Sequence, residues 1–402
     1  RGPLTGDRRN EAEVLFERAI GLRNDFAPAW EHLAWVRIAE GNEPGTAEAL
    51  DSFEAVAPVA DITDDVRTLT LRSLLRLGRA WRFLPRQQAI QVTEILLADP
   101  VIFTYPELVA GPRYLVYFDA PEGAIWVWDR LTELPGAARP DPSGRLAEVF
   151  GHVAQGQLGL AKAAAAELQL SVPDLGFFAA QLEASLALVD TDSEELARLW
   201  PSLRPKLTRY VKAGADLEIR RRAAWMLTLL AQRAGDEREA AAYRDLFEDE
   251  PGRTLKTLRD ATRAASAGRW AQALDISDQL QAYEGASEAP DPFFRSLLHL
   301  FRAEWHTRQN DVQGALRELR WHENNDVEGP PAGEPQPAEV DWAFGTLARW
   351  QRAQLLDRLE ERGPEMCNAY LAVARLWADG DARYAARADT AGKRADTLGC
   401  SS

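Results

Sequence analysis

A small residue recurs along the chain at one place in a repeated helix-turn-helix pattern. The ten positions, nine alanines and one glutamate, are Ala12, Ala49, Ala89, Ala124, Ala161, Glu195, Ala240, Ala273, Ala315 and Ala369. Consecutive positions lie 33 to 54 residues apart, and repeats of this length with two helices each are typical of α-solenoids. A small side chain is needed where two helices approach closely, because the side chains at the contact set the distance between the axes. We therefore predict an all-α fold, specifically an α-solenoid.

The clearest repeat covers residues 224–247. Apolar residues recur every three or four positions on both sides of Gly235 and Asp236, which is the spacing of a helix with one buried face. Gly235 is expected to end the first helix in a left-handed conformation, and Asp236 to cap the second. Ala240 then lies where the two helices cross. The same order of residues recurs around 118–124, 264–273 and 310–315.

These features resemble the tetratricopeptide repeat, in which large apolar residues fill the first helix, Gly-Asp forms the turn, and alanines with an aromatic residue fill the second. Near the N-terminus, Ala12, Phe16 and Ala19 match the second helix of one repeat. In the same register, Trp30, Leu33 and Ala34 match the first helix of the next repeat. The resemblance implies a right-handed superhelix whose first helices line a concave groove. It also implies a truncated opening repeat, since Ala12 belongs to a second helix with no first helix before it.

Two repeats match this pattern weakly. Pro112 falls in a first-helix position, where an interior proline should kink or break the helix, and Glu195 replaces the recurring alanine. A rival interpretation concerns residues 114–118 and 124–128, two β-prone runs separated by a short turn, which are also typical of a hairpin. Consistency with the neighbouring repeats favours helix for these runs.

The repeats and their interruptions predict four segments. These are residues 1–134, N-terminal repeats with the first one truncated; 143–325, central repeats; 326–340, an acidic proline-rich loop; and 341–402, a C-terminal helix pair with a capping helix. Residues 135–143 are expected to form a loop, and 201–216 a second, weakly patterned connection. The final helix, around 382–398, is expected to cover the last repeat and present a polar outer face.

Composition limits the partners and the compartment. The 402 residues carry a net charge of −15, which argues against nucleic acid or anionic lipid as the main partner. No stretch of 18 apolar residues is present, so no direct membrane insertion is expected from this segment. The two cysteines, Cys367 and Cys400, either pair and tie the terminal helix to its neighbour, as suits an oxidising compartment, or remain free thiols.

Three local patterns that suggest chemistry have simpler interpretations. Residues 324–328 place oxygen-bearing side chains as a calcium loop does, but Pro335 stands where the bidentate glutamate is needed. Residues 156–162 are glycine-containing but lack the Gly-Lys-Ser/Thr ending of a phosphate loop. His299 and His306 are seven residues apart, whereas helical metal ligands usually stand three or four apart. The chain is therefore predicted to be non-catalytic, with no cofactor and no metal.

The repeat register selects candidate partner-binding residues, because first-helix side chains line the concave face in tetratricopeptide arrays. The transferred positions are Trp35, Trp81, Arg82, Arg113, Tyr117, Gln232, Arg233, Glu304 and Arg308. Aromatic residues and arginines are favoured anchors at interfaces, and arginine can hold a carboxylate with two hydrogen bonds. These nine residues are predicted to bind a protein or a peptide.

Two segments, 26–37 and 367–381, are similar to the C-terminal repeat regions of large bacterial proteins that begin with a serine/threonine kinase or a DNA-binding domain. In such kinases a membrane helix often intervenes, which implies an extracytoplasmic location; the alternative is the cytoplasm. No kinase landmark occurs here. The predicted function is a non-catalytic protein- or peptide-binding scaffold within a larger bacterial assembly or signalling protein. The alternative is a small-molecule sensor domain of such a kinase or regulator.

Overall fold

The computed structural model describes residues 8–57, 66–98, 112–113, 115, 118–133, 144–171, 177–211, 216–246, 253–281, 293–323, 337–360 and 363–400. Within these ranges the regular structure consists of α-helices and one short 3-10 helix, with no strand. The all-α prediction is confirmed. Residues 124–128, for which a hairpin was the rival interpretation, lie inside a helix. None of the described helices combines the length and the apolar character needed to cross a bilayer.

Twenty α-helices are described. The first ten are α1 (Arg8–Leu22), α2 (Ala27–Glu40), α3 (Glu43–Val56), α4 (Val66–Phe83), α5 (Arg86–Leu97), α6 (Pro121–Glu133), α7 (Arg145–Ala154), α8 (Leu158–Ser171), α9 (Phe178–Asp190) and α10 (Ser193–Val211). The others are α11 (Leu217–Arg233), α12 (Glu237–Asp245), α13 (Arg253–Ser266), α14 (Trp270–Gln281), α15 (Phe294–Arg308), α16 (Val312–Arg320), α17 (Pro337–Ala343), α18 (Gly345–Arg358), α19 (Pro364–Leu376) and α20 (Ala382–Leu398). The 3-10 helix, Trp321–Glu323, follows α16 directly.

The described residues form two compact units. The N-terminal unit contains α1 to α7 together with α17, and the C-terminal unit contains α8 to α16 and α18 to α20. This grouping differs from the four predicted segments, because the division falls after residue 155 and the last three helices join the central ones. Of the predicted acidic loop, residues 337–340 are helical and begin α17; its remainder and the predicted loop 135–143 lie outside the described residues.

Six turns between paired helices share one backbone conformation. A residue with positive φ precedes the second helix by two positions in each, namely Gly41, Asp119, Gly156, Gly235, Gly268 and Asn310. Glycine, asparagine and aspartate enter this left-handed region at the least cost. As predicted, Gly235 adopts it at φ 79°, and the Asp236 side chain accepts a hydrogen bond from the N–H of Glu239 at 3.1 Å. The turn chemistry of the repeat is thus readable from sequence.

The recurring alanines lie where the helices of a pair meet. Eight of the nine are at most 2 % exposed: Ala49, Ala89, Ala124, Ala161, Ala240, Ala273, Ala315 and Ala369. At four of these turns the two joined helices contact each other: α2 and α3, α11 and α12, α13 and α14, and α15 and α16. Ala12 and Glu195 are only half-buried. The carboxylate of Glu195 reaches outward and pairs with Arg383 at 3.1 Å.

The predicted connection at 201–216 is wrong for its greater part, because α10 continues to Val211. Two prolines, Pro201 and Pro205, lie inside the helix, where each removes one backbone donor. Both are exposed, so the carbonyl groups that lose a partner are on the solvent side. On the opposite side the helix buries an apolar stripe at four- and three-residue spacing, Leu196, Trp200, Leu203 and Leu207. Burial of that stripe outweighs the local preference against helix.

The terminal helix is tied to the C-terminal unit at both of its ends. At its C-terminal end the disulfide between Cys367 and Cys400 links it to α19, so the pairing alternative is the one observed. At its N-terminal end Arg387 donates to the Asp190 carboxylate at 2.7 Å, and the Tyr384 hydroxyl donates to it at 2.9 Å. Burial and the charge of Asp190 raise the pKa of Tyr384, so the hydroxyl remains a donor. The predicted helix is confirmed, but part of its expected outer face is bonded to α9.

A buried acid joins α15 to α16. Glu318 accepts from Arg302 Nε at 2.8 Å and lies 2.7 Å from His299 Nδ1, and all three side chains are at most 7 % exposed. Burial by itself raises the pKa of Glu318. The hydrogen bonds and charges of His299 and Arg302 outweigh burial and lower that pKa to about 2. The carboxylate is therefore held ionised in the folded protein.

This lowered pKa predicts an acid-dependent loss of stability. The stabilising contribution of Glu318 is fully present above its ordinary pKa of 4.5, and is lost as the pH falls towards about 2. Its size is up to about 3 kcal/mol. In urea titrations, the difference in unfolding free energy between the parent and Glu318→Gln should be largest above about pH 5 and shrink on acidification. The exposed Glu237→Gln should show no such change, and a pH-independent difference for Glu318→Gln would contradict the assignment.

Candidate functional site

A cleft lies at the C-terminal ends of central helices of the C-terminal unit. It consists of two adjoining cavities of about 590 Å³ and 470 Å³. The two cavities share four lining residues, Arg233, Phe301, Glu304 and Arg308. Residues of α9, α11, α13, α15 and α18 contribute to its walls. We refer to this continuous depression as the cleft.

The repeat turn explains which side chains face the cleft. Three arginines are each the last residue of a helix and each precede a left-handed residue by two positions. The pairs are Arg233 and Gly235, Arg308 and Asn310, and Arg358 and Glu360. A cation at this place is favourable because the C-terminal end of a helix carries partial negative charge. Glu304 and Gln354 stand four residues before Arg308 and Arg358 on the same helix faces, so equivalent positions of these two helices line one surface.

Arg233 and Glu304 form the centre of the cleft. Arg233 Nη1 lies 2.7 Å from Glu304 Oε2, and its Nη2 donates to the Thr191 carbonyl at 3.3 Å. The Nε of Arg233 is buried without a hydrogen-bond partner. The second oxygen of Glu304, Oε1, lies 3.8 Å from Arg308 Nη2. One carboxylate therefore bridges two guanidinium groups, and neither ion pair is bidentate.

Arg308 is the most accessible of these three charges. Its side chain is 60 % exposed, against 20 % for Arg233 and 29 % for Glu304. The guanidinium carbon lies 5.8 Å from the centre of the Trp270 ring, a distance at which a cation is attracted to an aromatic face. The ring positions the guanidinium without occupying its N–H donors. Arg358, at the other end of the first cavity, is also exposed.

The remaining lining residues are neutral. Polar groups come from Ser193, Gln232, Thr262, Ser266, Thr307, Gln351 and Gln354, and apolar surface from Leu188, Val189, Leu300, Phe301, Trp270 and Leu319. The Thr262 hydroxyl donates to Gln232 Oε1 at 3.2 Å. Among the described residues, no group of three or more histidine, cysteine, aspartate and glutamate side chains is arranged to hold a metal. The cleft therefore offers charge, hydrogen bonds and apolar surface for binding.

Four of the nine predicted groove residues meet in this cleft: Gln232, Arg233, Glu304 and Arg308. Trp35, Trp81, Arg82 and Arg113 belong to the N-terminal unit. Trp35 stacks on Phe118 with ring centres 4.6 Å apart, Trp81 donates its indole N–H to a threonine of α5 at 2.9 Å, and Arg82 pairs with Asp119 at 2.9 Å. The role of Trp35, Trp81 and Arg82 in binding stays a prediction.

Arg113 is wrong as a groove residue. It is fully buried, and its Nε and Nη2 donate to the two oxygens of Glu339 at 2.5 and 2.6 Å. Glu339 lies in α17, within the segment that the sequence analysis predicts to be an acidic loop. The repeat pattern alone therefore could not predict this ion pair. Tyr117 and the calcium-like residues 324–328 lie outside the described residues. Arg113 therefore stabilises the N-terminal unit.

Arg358 was missed by sequence reasoning. Its turn carries Glu360 in the left-handed conformation, at φ 56°, instead of the glycine, asparagine or aspartate found at the six turns described above. The available signal was the position of arginine itself, since Arg233 and Arg308 also stand two residues before such a turn residue. The same spacing, with Arg358 two residues before Glu360, would have placed Arg358 at the position equivalent to Arg233 and Arg308.

Comparison with known proteins returns no relative: no protein-family model, no curated protein and no solved structure matches the chain. The described fold and cleft define the class, an all-α protein with paired helices and a basic, aromatic-lined cleft in its C-terminal unit.

Proposed function

We propose that the protein is a non-catalytic protein- or peptide-binding scaffold of the tetratricopeptide-like solenoid type. The cleft of the C-terminal unit binds an extended segment of the partner. The observation that carries this proposal is the row of equivalent side chains, Arg233, Ser266, Arg308 and Arg358, each two residues before a left-handed turn. Repeats that present equivalent positions side by side suit an extended chain, which contacts one repeat after another.

The composition of the cleft supports binding of a polypeptide. Arginine and aromatic side chains dominate the binding energy of protein interfaces, and here Trp270 and Phe301 stand beside Arg233 and Arg308. Glutamine and hydroxyl groups around them match the N–H and C=O groups of an extended backbone, which need partners when they leave water. A peptide can therefore satisfy the polar walls and place apolar side chains on the rings.

Filling the cleft should abolish this binding without unfolding the protein. Ser266 and Gln354 line the two cavities and are exposed, so Ser266→Trp and Gln354→Trp add bulk to the cleft and leave the core intact. Random peptides displayed on phage are selected on the parent and then tested on both variants. Parent-selected peptides should lose at least tenfold in affinity on each, about 1.4 kcal/mol.

The matched control is Gln279→Trp, which adds the same side chain at an exposed position of α14 outside the cleft. Peptides selected on the parent should bind this variant with unchanged affinity. Melting temperatures of all three variants close to that of the parent establish that the fold is retained. Selected peptides that bind the filled variants as well as the parent would rule out the cleft as the peptide site.

A second candidate function is a small-molecule sensor domain. The observation that favours it is the size of the larger cavity, about 590 Å³, which falls within the range of roughly 300–1,000 Å³ that holds drug-sized ligands. A library of metabolites is tested for an increase in melting temperature, because a ligand that binds only the folded state stabilises it. A stabilising metabolite whose effect disappears in Ser266→Trp or Gln354→Trp would favour this function over peptide binding.

The disulfide supports a proposal about location. Disulfides persist in oxidising compartments, and the bond between Cys367 and Cys400 agrees with the extracytoplasmic location that the resemblance to membrane-bound kinases implies. Thiol labelling of the protein in intact cells tests this location. Two reactive thiols in the native protein would favour the cytoplasmic alternative.

A further inference from the structure

The charge of the cleft is opposite to that of the chain as a whole. The chain carries a net charge of −15, yet three arginines and one glutamate line the larger cavity, Arg233, Arg308, Arg358 and Glu304. Walls of low dielectric constant concentrate the field of such a group and attract ions of the opposite sign. The one anion among them, Glu304, lies between Arg233 and Arg308.

The hydrogen-bonding capacity of the two arginines is not filled by Glu304. A guanidinium can bind both oxygens of one carboxylate through a pair of N–H groups. Here one oxygen of Glu304 accepts a hydrogen bond from Arg233 at 2.7 Å, and the other oxygen lies 3.8 Å from Arg308. Arg233 Nε is buried and has no hydrogen-bond partner. The site therefore has donors in excess of what its own carboxylate satisfies.

We propose that the cleft selects peptides that carry aspartate or glutamate, and that Glu304 is an internal carboxylate which the peptide carboxylate replaces on Arg233. In the free protein Glu304 neutralises Arg233 and limits the cost of keeping a partly buried cation. On binding, the ligand carboxylate pairs with Arg233, and Arg308, held by the Trp270 ring, makes a second charged contact. This inference rests on the proposed peptide-binding function.

Competition by Glu304 predicts that removing its charge increases the affinity for an acidic peptide. Removing a residue that contacts a ligand ordinarily weakens binding. Here Glu304→Gln removes the competing charge and should strengthen the binding of an acidic peptide about fivefold, whereas Arg308→Gln should weaken it at least tenfold. If Glu304 only orients Arg233, the same Glu304→Gln change should weaken binding.

The test begins with the amino-acid content of the selected peptides. Random peptides displayed on phage are selected on the parent, and those that fail to bind Gln354→Trp are sequenced. Enrichment of aspartate and glutamate over the unselected library is expected. The most enriched peptide and its amide analogue, with every Asp changed to Asn and every Glu to Gln, are then synthesised. Their affinities are measured by fluorescence polarisation at low and high salt.

The acidic peptide should bind the parent at least tenfold more tightly than its amide analogue, and the difference should shrink at high salt. Glu304→Gln should tighten binding of the acidic peptide and leave the amide analogue unaffected. The control is Glu237→Gln, which removes an exposed negative charge outside the cleft and should change neither affinity appreciably. Equal gains for Glu237→Gln and Glu304→Gln would show a general charge effect and overturn the competition.

Peptide binding and acidic selectivity are distinguished by the outcome of the selection. Cleft-dependent peptides without acidic enrichment would overturn the anionic selectivity and leave the peptide-binding function standing. Acidic peptides that bind Glu304→Gln equally or more weakly than the parent would overturn the replacement of Glu304. Selection that yields no cleft-dependent peptide would contradict the proposed function itself.

Discussion

Replacing Arg113 with methionine is expected to lower the free energy of unfolding by about 3–5 kcal/mol. Arg113 and Glu339 are both completely buried and joined by two hydrogen bonds of 2.5 and 2.6 Å. The methionine fills most of the volume but removes the guanidinium that pairs with the buried Glu339 carboxylate, and breaking a buried ion pair by removing one partner is strongly destabilising. Urea unfolding followed by circular dichroism measures the loss.

Two further variants separate the charge effect from packing. The double variant Arg113→Met with Glu339→Met removes both charges and should recover much of the lost stability, because a buried pair contributes little beyond what apolar residues of similar size provide. Arg76→Met breaks a partly exposed pair with Glu54, also bidentate at 2.7 Å, and should change stability by at most about 1 kcal/mol. Similar losses for Arg113→Met and Arg76→Met would contradict the importance of burial.

The second large effect is expected from Phe293→Ala, at about 3–5 kcal/mol. Phe293 is completely buried immediately before α15. Its ring centre lies 5.9 Å from that of Phe178 at the start of α9 and 6.3 Å from that of Phe344 at the start of α18. The ring therefore joins the N-terminal ends of three central helices, whose opposite ends form the cleft. Its removal leaves a cavity that these helices cannot close without moving.

Thermal unfolding of Phe293→Ala should show a lower melting temperature, and binding at the cleft should weaken because its walls depend on the positions of α9, α15 and α18. Phe293→Leu keeps most of the apolar volume and should retain most of the stability. Leu246→Ala, at a side chain 52 % exposed in the same unit, should be nearly neutral. A loss below about 1 kcal/mol for Phe293→Ala would show that the three helices are held together elsewhere.

The sequence was sufficient to predict helices and turns where local chemistry determines them. Gly235 and Asp236 specify a left-handed turn and a cap by themselves, and the alanine spacing identifies the close contacts between paired helices. The same local rules failed at α10. There two prolines argue against helix, but the buried stripe from Leu196 to Leu207 decides the structure through contacts with other helices.

Only those residues of the candidate site whose positions depend on local sequence could be predicted. Gln232, Arg233, Glu304 and Arg308 follow from the repeat register, because each occupies a set distance from a recognisable turn. Arg113 occupies a comparable first-helix position, yet its environment depends on α17, more than 200 residues later in the chain. A register specifies where a side chain stands on its helix, whereas long-range packing determines whether solvent or another segment meets it.

The attachment of α20 to α9 affects how the C-terminal unit unfolds. In an open array of repeats each repeat contacts only its neighbours, so unfolding can start at either end and advance stepwise. Here the Tyr384 hydroxyl is bonded to Asp190, 194 residues earlier in the chain, and the last helix is also held by a disulfide. The helix α20 therefore cannot separate from the unit without breaking contacts with α9 and α19. Inserting or deleting a helix pair between α9 and α20 would separate residues that meet in this structure.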